Sequence, residues 1–326
     1  MAMPNFFIVG AQKAGTTSLY HYLAQHPQIY MSPVKEPYFF DHELDSEGRI
    51  VKENSENRSQ QKGSRFPDFE AYRALFRGVE AETAIGEAST PYIYVSGTAE
   101  RIERYVPGAK VIAILRNPAD RAYSAFSHAV RIGMEPLTDF AQALQEEERR
   151  VSENSHLTFH YRNRGFYYGQ LQRYYEIFGQ ERVGIWLYED LKADPVATTQ
   201  SIFRFLGVED TFIPDTSSKH NLSGIPKSGV ARFTIKAMDV VAAAFLERFT
   251  SASRIYPLLS KTRQLIQSRI VVKPPPIDPR IRADLIAGYR EDILNLQELI
   301  GRDLSAWLKE GDKDWAREVG TSERSG

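Results

Sequence analysis

The 326-residue chain predicts an α/β domain with a central parallel sheet flanked by helices. Continuous apolar runs alternate with segments of helical period, the pattern of strands buried on both faces and joined by crossover helices. The first such run also leads directly into a glycine-bounded loop and then a helix. Residues 5–9 form the first strand and 16–25 the first helix, closed by His26-Pro27. Residues 84–87 are a shorter candidate strand. Residues 111–115 form the next strand, followed by a helix over 119–131, with Pro118 suited to a first helical position. A helix over 166–178 ends at Gly179, a strand follows at Val183–Leu187, and the helix Pro195–Leu206 ends at Gly207.

Other stretches carry less pattern. Residues 43–65 are rich in Ser, Glu, Asn, Gln and Lys, which reads as a surface loop or disorder, with no structure assigned. Residues 227–273 hold nine Lys or Arg against Asp239 and Glu247, interleaved with apolar pairs. They read as one or two basic amphipathic helices, either a helical cap with a solvated basic face or a surface for anionic glycan, glycolipid or membrane headgroups. After Pro274-Pro275-Pro276 a last helical region spans 281–301 and leads into 304–308; residues 310–326 are a polar tail. The whole, 1–326, reads as a single domain. No repeat or heptad seam is present, so the oligomeric state stays open.

Composition narrows the chemistry. Hydrophobic residues make up 42% and charged residues 25%, and the formal net charge of −1 gives no global attraction to nucleic acid. The absence of cysteine excludes disulfides, thiolate metal sites and cysteine nucleophiles. No basic segment leads into an apolar stretch at the N-terminus, and no apolar run reaches membrane-spanning length; the expectation is a cytoplasmic protein, at most peripheral to a membrane. Histidines and carboxylates show no close metal-ligand spacing, so no metal is expected.

The chemical signal is in residues 4–17, PNFFIVGAQKAGTT. Gly10 and Gly15 allow a tight turn that aims backbone N–H groups and the positive end of a helix dipole at an anion. The ATP-binding version of such a loop places a lysine after its second glycine. Here Thr16 stands there and the lysine is Lys13, so the loop suits a phosphate ester while Lys13 addresses something other than a terminal phosphate. Arg116 follows the strand at 111–115, at the carboxyl end where open α/β sheets bind ligands, and Ser124 lies on the next helix. His128 falls four residues after Ser124, on the same helix face.

The segment Lys13-Ala14-Gly15-Thr16-Thr17 resembles the first loop of sulfotransferases that use 3′-phosphoadenosine-5′-phosphosulfate (PAPS). Residues 111–124, VIAILRNPADRAYS, are similar to that family's second nucleotide-binding element, and Lys35-Glu36-Pro37-Tyr38-Phe39-Phe40 resembles the place where glycan-modifying members carry a catalytic glutamate. The likeness covers roughly residues 4–220 and resumes near 273. It implies a P-loop-like fold, PAPS as sulfuryl donor, adenosine 3′,5′-bisphosphate as product, and a carbohydrate-like or other small-molecule acceptor bearing a hydroxyl or amine.

Carried onto this chain, the resemblance implies that Lys13 neutralises charge left on the 5′-phosphate, which Ala14, Gly15, Thr16 and Thr17 hold. Arg116 and Ser124 take the 3′-phosphate, with Arg164 and Lys219 as further cofactor contacts; Lys227 competes with Lys219. Glu36 is the general base, with Glu87 as competing base or orienting group, and His128 assists acceptor binding or proton transfer. Many relatives carry a lysine near the position of Ala88 or Ser89, and this chain has none. Blander assignments stand beside these: Thr16 as a helix cap, Lys13 and Glu36 as solvated loop residues, Arg116 paired with Asp120, and His128 as a packing residue. The rival functions are a nucleotide or small-molecule kinase with a degenerate phosphate loop, and a nucleotide-binding protein without catalysis.

Overall fold

The computed structural model describes residues 2–52, 66–217, 225–226, 271–272 and 274–309. Five parallel strands make the central sheet: β1 (Phe6–Gly10), β2 (Ile29–Met31), β5 (Ala84–Ala88), β6 (Lys110–Leu115) and β7 (Val183–Leu187), in the order β2-β5-β1-β6-β7. Ile8 pairs with Ala88 on one side and with Ile112 on the other, so β1 is the middle of the sheet. Phe6 to Val9 and Val111 to Leu115 are fully buried, as their unbroken apolar runs require. At β7 the expectation of a buried strand is corrected. It is the sheet edge, and Gly184, Ile185 and Trp186 are only half-buried, with the Trp186 indole N–H donating to Ser201 Oγ at 2.7 Å.

The connections fix where a ligand can sit. From β1 the chain passes through α1 (Thr16–Leu23) to β2 at one edge, returns through β5, and crosses to β6 on the other side of β1. Chain direction therefore diverges between β1 and β6, and the crevice at their carboxyl ends is the switch point of the sheet. Helix α4 (Pro118–Arg131) leaves β6 there. Its first turn is capped by Asn117, whose Oδ1 accepts from the Ala119 and Asp120 N–H groups. Helices α3 (Thr98–Tyr105) and α6 (Tyr168–Phe178) lie against each other. Helix α8 (Pro195–Leu206) is closed by Gly207 in the left-handed conformation. The long α9 (Pro279–Ile300) contacts α4 and α6 and buries Leu285, Tyr289, Ile293 and Leu296.

Several elements depart from the sequence expectation. Residues 43–52 are not a loop: β3 (Glu43–Leu44) pairs antiparallel with β4 (Ile50–Lys52). Asp45 organises the turn by accepting from the Glu47 and Arg49 N–H groups, each at 2.9 Å. Strands of two and three residues around a polar turn are too short to show an alternation that sets them apart from loop. Helices α2 (Phe69–Arg73), α5 (Phe140–Ser152) and α7 (Tyr188–Ala193) complete the helical set just named. Two residue pairs, β8 (Ile225–Pro226) and β9 (Val271–Val272), pair antiparallel. The basic stretch at 227–273, with Lys219 and Lys227, otherwise lies outside the described residues, as does the tail from 310. No described helix is long and apolar enough to cross a membrane.

Candidate active site

The loop after β1 turns on two glycines with different duties. A Cβ on Gly10 would meet Ile93 Cγ2 at 2.5 Å, so close approach excludes a side chain there. Gly15 sits at φ +91° as the residue capping α1, and it has no side chain to block the helix mouth. The cap is thus Gly15, not Thr16. The Ala11 N–H donates to Ile114 O at 2.7 Å and ties the loop to β6. Between the glycines Lys13 is left-handed as well, at φ 71°.

A second left-handed pair forms the opposite wall. Glu36 and Tyr38 have φ of 59° and 58°, a conformation costing about 1–3 kcal/mol per non-glycine residue and sustained only by surrounding contacts. Those contacts come from the end of β5. The Glu36 N–H donates to Ala88 O at 2.9 Å, and the Tyr38 N–H to Ser89 Oγ at 3.2 Å. Ser89 Oγ in turn donates to Glu87 Oε2 at 2.8 Å, and Tyr72 OH to Glu87 Oε1 at 3.3 Å.

The Glu36 carboxylate accepts from Lys35 Nζ at 2.8 Å and Thr90 Oγ1 at 3.1 Å on one oxygen, and from Tyr38 OH on the other. Burial pushes its proton affinity up, but the Lys35 charge and these three donors outweigh it and hold the group below its ordinary value. An ionised carboxylate has about four acceptor positions, so three donors leave room for one more. With its side chain 26% exposed, Glu36 can meet a proton from outside the protein.

Gln12, Lys13, Gly15, Thr16, Thr17, Lys35, Glu36, Tyr38, Thr90 and His128 line one cavity of about 330 Å3. A larger one, about 670 Å3, adjoins it and is lined by Lys13, Arg116, Ser124, His128, Arg131, Tyr188 and the Pro274–Ile277 strap, among others. Lys13 and His128 belong to both. The Arg116 guanidinium lies 4.9 Å from the centre of the Tyr188 ring and donates to Lys13 O at 3.2 Å. Burial, then the neighbouring Arg131 and Arg116 charges, lower the Lys13 ammonium to about 8, against the opposing pull of Glu36. Burial and the charges of Lys13 and Arg131 drive His128 down to about 2, so its imidazole is neutral. The crevice concentrates positive charge around a helix N-terminus, an environment for a multiply charged anion.

A profile described as the sulfotransferase family matches residues 4–212, well over half of the chain. The chain belongs to the sulfotransferase family. The solved structure of a sulfotransferase from Alicyclobacillus acidocaldarius is 35% identical, with a TM-score of 0.70 over 95% of this chain and 100% of that one. Human bifunctional heparan sulfate N-deacetylase/N-sulfotransferase 3 is 26% identical over 316 residues, 94% of this chain and 31% of that protein. The human enzyme numbered 2 of the same description is 30% identical over 211 residues, 63% of this chain and 22% of that protein. The chain thus spans less than a third of the length of these curated relatives.

In this sulfotransferase the anticipated residues fall into three groups. Lys13, Gly15, Thr16, Thr17, Glu36 and His128 share one cavity, and Lys13, His128, Arg116 and Ser124 share the other. Arg116 does not pair with Asp120, which instead faces Arg282 at 3.4 Å. A second group stands behind the walls. The Ala14 N–H donates to Ala11 O, so that amide holds the loop's own turn. Arg164 is buried, donates to Gln12 Oε1 at 3.0 Å and Thr90 O at 3.4 Å, and lies under the loop, not on either cavity wall. Glu87 is wholly buried and pushed up to about 8 by that burial, with no opening to either cavity; it braces the Glu36 turn through Ser89. Lys219 lies outside the described residues.

Sequence reasoning missed Gln12, Lys35, Thr90, Arg131 and Tyr188 as parts of the site. Thr90 and Tyr188 follow the carboxyl ends of β5 and β7, and strand-end position alone would have nominated them.

Proposed function

We propose that this sulfotransferase takes its sulfuryl group from PAPS and delivers it to a hydroxyl or amine of a carbohydrate-like acceptor. The reading rests on Lys13: it stands where two cavities meet, one carrying a carboxylate and the other an arginine and a serine suited to a phosphate. PAPS, when bound, supplies an electrophilic sulfuryl group with a nucleotide phosphate as leaving group. The donor set fits such a molecule. The N-terminal amides of α1 and the Thr16 and Thr17 hydroxyls hold the 5′-phosphate. Arg116 and Ser124 hold the 3′-phosphate, with the Tyr188 ring keeping the guanidinium in place.

Lys13 keeps positive charge at the mouth of the loop, where negative charge builds as the donor bond breaks. Glu36 is ionised at neutral pH and takes the acceptor's proton as its oxygen or nitrogen bonds to sulfur. Lys35, Tyr38 and Thr90 fix the carboxylate in one orientation. The products are the sulfated acceptor and adenosine 3′,5′-bisphosphate. The carbohydrate-like acceptor is supported by the resemblance of the Glu36 segment to glycan-modifying sulfotransferases and by the heparan sulfate N-sulfotransferases among the relatives.

Calorimetric titration with adenosine 3′,5′-bisphosphate, beside ATP and ADP with magnesium, tests the donor site. Tight binding of the bisphosphate alone is expected; preference for ATP would replace this reading with a kinase. Sulfate transfer is then assayed on an N-deacetylated heparan-type glycan and its N-acetylated counterpart.

A further inference from the structure

The Arg131–His128 pair limits what the histidine can do. Both residues lie in the last turns of α4, three positions apart and so on one face. Arg131 Nη2 stands 2.9 Å from His128 Nδ1. A guanidinium has five N–H groups and no acceptor, so the shared hydrogen can belong only to arginine, and the Nδ1 lone pair is the acceptor. The proton of a neutral imidazole must then be on Nε2. That nitrogen has no hydrogen-bond partner among the described residues, while the His128 side chain lines both cavities beside Lys13.

We propose that Arg131 is a positioning residue that locks His128 as the Nε2–H tautomer, making His128 a hydrogen-bond donor to the sulfuryl or phosphate oxygens beside Lys13, and not a proton acceptor. The assignment deepens the sulfotransfer reading and rests on it for the identity of those oxygens. Throughout the reaction the Nε2 proton stays on nitrogen. The acceptor's proton goes to Glu36, the new bond forms between acceptor and sulfur, and the electron pair of the broken sulfur–oxygen bond leaves with the nucleotide phosphate. His128 thus acts with Lys13 on developing negative charge, a task for which a single fixed donor is worth about 100-fold or more in rate.

Two measurements on the full chain test this. In the first, long-range 15N–1H correlation spectra of histidine-labelled protein at neutral pH are assigned by comparison with H128Q. Wild type is expected to show the Nε2–H tautomer alone at His128, and Arg131→Met to show a mixture with Nδ1–H. An imidazolium or an Nδ1–H signal in wild type, or an unchanged tautomer in Arg131→Met, overturns the proposal.

In the second, turnover is compared among variants whose folding is confirmed by circular dichroism. The amide of His128→Gln can still donate near the Nε2 position but cannot act as a base. Its kcat should remain within about tenfold of wild type, while His128→Ala loses about 100-fold. Equal losses in the two variants would assign a base and overturn the donor role. If wild type transfers no sulfate to any acceptor, the sulfotransfer reading fails, and the tautomer spectra still decide the Arg131–His128 lock.

Discussion

The Glu36 carboxylate is held by Lys35 and Thr90 on one oxygen and by Tyr38 on the other, while its backbone is tied to the end of β5. In the sequence the carboxylate is singled out by the likeness of its segment to glycan-modifying sulfotransferases, beside the plainer reading of a solvated loop residue. Its left-handed backbone was not legible, because the restraints come from Ala88, Ser89 and Thr90, more than fifty residues away. Glu36→Gln should lower kcat by about 10²- to 10⁴-fold, the usual worth of a general base. Affinity for adenosine 3′,5′-bisphosphate, followed by calorimetry, should be unchanged or tighter, since removing a carboxylate beside Lys13 strengthens the pull on an anion. Lys13 makes that affinity depend on pH. Its ammonium is lowered to about 8 in the free protein, and a bound anion raises it. The linked affinity is therefore complete below about 8 and is lost as pH rises through the bound value, while the phosphates themselves are already ionised above pH 7. Calorimetry from pH 7 to 9 should show this weakening in wild type. Lys13→Arg, charged throughout, should show a flat profile.

Among the elements, α4 carries the most. Its N-terminus follows Arg116, its middle presents Ser124, and its last turns present His128 and Arg131, so one helix axis sets four side chains of the site. Asn117 fixes where that helix begins: its Oδ1 caps the first turn and its Nδ2 donates to Trp307 O at 3.2 Å. Asn117→Ala should lower unfolding stability in urea by about 1–2 kcal/mol, the cost of a lost cap. It should also weaken bisphosphate binding, because Arg116 is the adjacent residue. The helix was legible from Pro118 and its apolar spacing. By contrast β2 has three residues, and the β3–β4 hairpin has strands of two and three residues around a polar turn, so neither offers enough period to be distinguished from loop.

At the scale of the molecule, the sheet order converts separate sequence signals into one crevice. Lys13 and Arg116 are 103 positions apart, yet they meet because β1 and β6 are neighbours whose chains leave in opposite directions. Four of the five central strands were readable from short apolar runs and β2 was not, whereas strand order was not readable at all, since it depends on how crossovers distribute over both faces. The same burial has a cost that pH exposes. Glu87 has its folded value raised to about 8, from an ordinary value of 4.5, mainly by desolvation beneath the site. Protonation therefore favours the folded state: the contribution is complete below 4.5 and is lost as pH rises through 8. Urea unfolding at pH 5, 6.5 and 8 should show stability declining over that range, with a shallower decline in Glu87→Gln. The junction of the two cavities at Lys13 has a further consequence, for inhibition. A single molecule joining a nucleotide bisphosphate to an acceptor fragment needs only a linker long enough to pass one lysine side chain. Its second half would then bind at an effective concentration in the millimolar range or above, so that two weak fragments add up to one strong ligand.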